Sequence, residues 1–109
     1  MDQHLIELRQ RALQASGNFL DAQLAYIEAT DFQRRKPEAE LRRAAEAACA
    51  ASEPYEAALR ELLDYLRASA PSAQRGEEIR EAEDSLATLI RERGVFEELI
   101  THHANMMAQ

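Results

Sequence analysis

With 109 residues the chain has room for one hydrophobic core and not two, because either half alone falls below the size at which burial offsets chain entropy. Its net charge of −7 argues against a nucleic-acid or anionic-membrane partner, since such binders gain affinity by neutralising phosphates with Lys and Arg. Residues Met1 to Leu8 lack the basic and apolar regions of a secretory signal, and no apolar run approaches ~20 residues, so the expected location is the cytoplasm.

Ala, Leu, Glu, Arg and Gln dominate, whereas β-branched residues reduce to one valine, five isoleucines and three threonines. That balance predicts helix throughout. Twenty-one of the apolar residues are alanines, which bury little area each, so the core should be thin. Twelve of the thirteen basic residues are arginine, a bias expected of a GC-rich bacterial or phage genome.

In chain order, Leu5, Leu8, Ala12, Ala15, Phe19, Ala22, Tyr26 and Ala29 alternate at spacings of three and four and predict one continuous helix. A second row, Ile6, Leu13, Leu20 and Ile27, repeats every seven residues about 100° away. Two apolar ridges imply two packing neighbours. Gly17 interrupts this helix at a cost of about 1 kcal/mol relative to alanine.

The first break falls at Thr30 to Lys36, and Pro37 suits the first turn of a second helix. The stripe of that helix is Leu41, Ala44, Ala48, Ala51, Tyr55, Ala58, Leu62 and Tyr65, and it keeps phase through Pro54. Continuity with a kink is the primary expectation; the alternative is a new helix capped by Ser52 with Pro54 in its first turn. Ala68 to Gly76 collects Ser, Pro and Gly and forms the second turn, with Ser72 as the candidate cap. The third stripe is Ile79, Ala82, Leu86, Leu89, Phe96, Ile100, His103 and Met107, with Arg93 the exception.

The expected fold is therefore an all-α, elongated, coiled-coil-like up-down-up bundle: one domain over 1–109, with helices over about 2–31, 37–69 and 73–107. Such a rod sets Gly17, Pro54 and Gly94 near one level. The plain reading is a bend with a close approach at Gly17, and the sharper one a functional hinge.

Chemistry-bearing patterns are sparse. Three scattered glycines and the lack of a strand leave no phosphate loop. His4 belongs at the opposite end of the rod from His102 and His103. Glu98 and His102 are four apart, which matches neither the zinc-protease nor the di-iron spacing, so no metal and no cofactor are expected. His103 reads as a partly buried end-of-core residue, and Glu98 with His102 as a surface pair. Cys49, the single cysteine, cannot form an internal disulfide and reads as a small packing residue. It has no neighbouring histidine or oxyanion donor, so no enzyme is expected.

Of two charge clusters, Arg34, Arg35, Lys36, Arg42 and Arg43 read as a solvated first turn, and Glu77, Glu78, Glu81, Glu83 and Asp84 as negative charge favoured by the dipole at the start of the third helix. After Gly94 the third stripe widens into the rows Phe96/His103, Leu99/Met106 and Ile100/Met107, more apolar surface than two neighbours need. The topology carries this end to the first turn. A partner site is therefore expected from Phe32, Phe96, Leu99, Met106 and Met107, rimmed by Arg34, Arg35 and Lys36.

These features point to a non-catalytic protein-protein interaction module, an adaptor, secretion-type chaperone or inhibitor, that binds another protein and forms a homodimer. The alternative is an acidic inhibitor or nucleic-acid mimic from a bacterial mobile element or phage. A small-ligand sensor would require a cavity lined by Tyr26, Tyr55 and Tyr65.

Overall fold

The computed structural model describes residues 2–109, and among them it holds three helices and no strand: α1 (Gln3–Ala29), α2 (Glu38–Ala68) and α3 (Ala73–Met107). They run up, down and up in a rod of 56 × 20 × 18 Å. The radius of gyration is 17.1 Å, against the ~13 Å of a compact domain of this length. Long helices with short connections leave no more globular arrangement.

The helix ends follow local chemistry. Asp2 caps α1, its carboxylate accepting the Leu5 N–H at 3.2 Å, and Ser72 caps α3, its hydroxyl accepting the Arg75 N–H at 3.0 Å. Pro37 stands just ahead of α2, not within its first turn as expected. Its carbonyl accepts the N–H groups of Glu40 and Leu41, and Glu38 and Glu40 set negative charge at that helix start.

The core is stacked in three layers along the rod. One end holds Leu5, Leu8, Leu62, Leu63, Leu66 and Ala82. The middle holds Ala12, Phe19, Ala58, Leu59 and Leu89. The turn end holds Tyr26, Leu41, Ala45, Ala48 and Phe96. Every layer draws on all three helices, as antiparallel neighbours require.

The helices do not share the work equally. α2 packs along both others, whereas no Cα of α1 comes within 8 Å of a Cα of α3 among the described residues. α2 accordingly buries two rows. To the predicted stripe it adds Ala45, Ser52, Leu59 and Leu66, all buried and seven apart. Ser52 conceals this row in the sequence, yet it fits the core because its hydroxyl donates to the Cys49 carbonyl at 2.6 Å.

The second ridge of α1 has no such neighbour. Ile6 is half-buried, but Leu13 is 73% exposed, Leu20 52% and Ile27 60%. The expectation that both ridges of α1 pack within the chain is therefore corrected: α2, at the centre, takes the double contact.

α2 runs unbroken through Pro54, which settles the alternative of a break at Ser52. The ring borders a shallow depression with Ala15, Asn18 and Ala58, so it lies at the level of Gly17. The close approach expected at Gly17 is absent: a methyl group there would meet nothing within 4 Å, and the same holds at Gly94. Arg93, the charged exception in the α3 stripe, is drawn to Glu56 of α2 and lies 3.8 Å from Glu97.

Because Pro54 has no N–H, the Ala50 carbonyl lacks its intrahelical donor. Pro54→Ala restores it and should raise stability by about 1–3 kcal/mol with a small gain in helix signal. Thermal melts followed by circular dichroism measure both. A less cooperative melt would show that the proline ring itself is needed at the contact with α1.

Candidate functional site

The turn end is organised by backbone and side-chain bonds that close the α1–α2 connection tightly. Thr30 donates its hydroxyl to the Ile27 carbonyl at 2.8 Å, Lys36 donates its N–H to the Ala29 carbonyl at 2.9 Å, and the Asp31 carboxylate accepts the Gln33 N–H at 3.0 Å. Phe32 is carried on the tip of this loop at 95% exposure.

Beneath the loop a polar chain crosses all three helices. The Tyr26 hydroxyl of α1 lies 2.7 Å from Nε2 of His103 on α3, and His103 Nδ1 bonds to the carboxylate of Glu38 at the start of α2. Arg35 donates to the other Glu38 oxygen at 3.3 Å. A carboxylate only accepts, so His103 Nδ1 donates to Glu38, and in that tautomer Nε2 accepts the Tyr26 hydroxyl.

Electrostatics follow from this geometry. The His103 hydrogen bond, with Arg35 assisting, holds the Glu38 carboxyl below its ordinary value, while burial pushes the Tyr26 phenol up. Tyr26 also meets the Phe96 ring edge-on, centroids 5.5 Å apart. With His103 only 2% exposed and both its nitrogens engaged, the chain binds three helices together and offers no open acid or base to a substrate.

The expected partner-site residues divide into two sets. Phe32, Arg34, Arg35, Lys36, Met106 and Met107 are exposed at this end, the methionines at 42% and 41%. Phe96 is buried in the core, and Leu99 packs against it half-buried. Those two form the floor below the surface. The spacing signal could not separate floor from surface, because one broad stripe serves both.

The partnership of Tyr26, Glu38 and His103 escaped the sequence, although a trace was present: Tyr26 and His103 are the polar members of their stripes at matching levels of the rod.

Elsewhere the chemistry is muted. Burial pushes the Cys49 thiol up, and it points at the Arg93 carbonyl 3.9 Å away. Tyr65, Tyr55 and Tyr26 lie in three different layers and line no common cavity. His4 meets Tyr65 edge-on at the far end, while His102 lies against His103. Among the described residues no three potential metal ligands converge, and no helix is long and apolar enough to cross a membrane.

No protein-family model, no curated protein and no solved structure matches the chain.

Proposed function

We propose that the chain is a non-catalytic interaction module, an adaptor, secretion-type chaperone or inhibitor, that captures another protein at the turn end of the rod. The observation that carries this reading is the exposure of Phe32, Met106 and Met107 beside Arg34, Arg35 and Lys36. An exposed aromatic and two pliable methionines supply anchors, and the arginines and lysine supply a charged border. On a molecule of net charge −7 this local basic rim favours a partner with an acidic border.

The polar chain below gives the surface a rigid base, so little entropy is lost when a partner docks. Leu99 supports the core, so the informative test uses side chains that do not. Phe32→Asp with Met106→Asp should leave the helix signal at wild-type level while abolishing recovery of the partner by affinity purification from the native host. Equal recovery by the folded double variant would remove the turn end from consideration.

A further inference from the structure

The side of the rod where α1 and α3 part carries a ridge beside a groove. The ridge is the unpartnered row of α1: Ile6, Leu13, Leu20 and Ile27 recur every seven residues, with Gln10, Gly17 and Leu24 between them, so the spacing alternates four and three from residue 6 to residue 27. Leu24, at 47% exposure, joins Leu13, Leu20 and Ile27 on the open side. No position in this row is charged, although 30% of the chain is.

The groove runs alongside, between α1 and α3. It comprises two adjoining depressions of about 350 and 430 Å³, floored by Tyr55, walled by Leu13, Ser16 and Leu20 on one side and by Glu81, Asp84, Ser85 and Thr88 on the other. Two α1-to-α3 links bound it, Arg9 with Glu78 and Gln23 with Glu92.

We infer that this face joins two copies of the chain, the α1 row of each lying along the groove of the other. A two-fold axis satisfies ridge and groove together, because both belong to one face and extend over the same stretch of α1. Gly17 stands at the midpoint of the row, where such an axis passes and the two helices come closest. Nothing within the chain uses its missing side chain, since a methyl group there would meet only open space. Closest approach at the centre of a self-paired seam gives that glycine a purpose.

The area is also sufficient. Helices of about 10 Å diameter lying side by side over ~32 Å cover roughly 600 Å² of each. Val95, 51% exposed and seven residues beyond Thr88 on the same face of α3, extends the contact towards the roughly 800 Å² per partner of a standard interface. Charge confines the contact to the row: two molecules of net charge −7 repel, at the groove wall of Glu81 and Asp84 as elsewhere, and the uncharged row is where they can meet. This does not rest on the turn-end reading, which concerns other side chains.

Sedimentation equilibrium of the full chain across micromolar concentrations provides the test. Wild type should be a dimer whose association holds or strengthens with added salt, as apolar contact between like-charged molecules requires. Leu13→Glu with Leu20→Glu should raise the dissociation constant roughly 100-fold or more with the helix signal unchanged, because both side chains are exposed in the single chain. Phe32→Asp with Met106→Asp should remain dimeric. A wild-type monomer at every concentration, a dimer that survives both glutamates, or a dimer lost in the Phe32 and Met106 variant would each overturn the inference.

Discussion

Phe19→Ala is expected to be the most damaging single truncation, lowering stability by roughly 3–5 kcal/mol and the melting temperature by ~15 °C or more. The middle layer leans on few large side chains. Alanine supplies Ala12 and Ala58 there, with Ala51 at its edge, so Phe19, Leu59 and Leu89 fill most of the space. Phe19 is 2% exposed and packs beside Tyr55, ring centroids 6.2 Å apart. Removing the ring leaves a void that the helices cannot easily close, because Leu59 and Leu89 packed in the same layer hold their spacing. Urea and thermal unfolding give the number. Phe32→Ala, at 95% exposure, should change stability by less than about 0.5 kcal/mol and serves as the control. A loss below ~1 kcal/mol for Phe19→Ala would show that the alanine-rich layer collapses around the gap.

The same spacing that placed Phe19 in the core made most of the fold legible. Leu5, Leu8, Ala12, Ala15, Phe19 and Tyr26 of the α1 stripe are all buried, and the turns fall just ahead of Pro37 and at the Ser- and Pro-bearing residues 69–72. Periodicity reports which side chains share a face, because helical rotation per residue is fixed. It does not report which helix sits in the middle. α1 and α2 each carry two seven-residue rows, yet only α2 has neighbours for both, and the more apolar pair of rows was on α1. Ser52 in place of an aliphatic residue hid the second α2 row, and a hydrogen bond to the backbone, invisible in a hydropathy pattern, is what makes it a core residue.

Long-range polar pairing was the other loss. Glu38 reads as an ordinary helix-start acid and Tyr26 as an ordinary stripe residue. Only the antiparallel register brings both to His103. For the proposed partner site, register also decided that Phe96 and Leu99 lie beneath the surface and Phe32 and the methionines upon it.

His103→Ala is expected to cost about 2–4 kcal/mol, more than its position one turn from a helix end would suggest. Truncation leaves the buried Tyr26 hydroxyl without a partner and opens space beside the Tyr26 ring. Most of the loss is the penalty of an unpaired buried group, so the double variant Tyr26→Phe with His103→Leu should recover more than half of it by making that site apolar throughout. Glu38 tolerates the change because it is 28% exposed at its side chain and keeps Arg35. The acid limb supplies an independent check. The folded-state value of Glu38 lies below its unfolded value, so the stability it contributes is present above about pH 4.3 and is lost as pH falls through the folded value. Glu38→Gln should therefore flatten the fall in stability below that pH, and in His103→Ala the Glu38 carboxyl, followed by NMR, should titrate closer to an ordinary glutamate. An unshifted Glu38 titration, together with a double variant no more stable than His103→Ala, would mean that the three side chains are neighbours without being coupled.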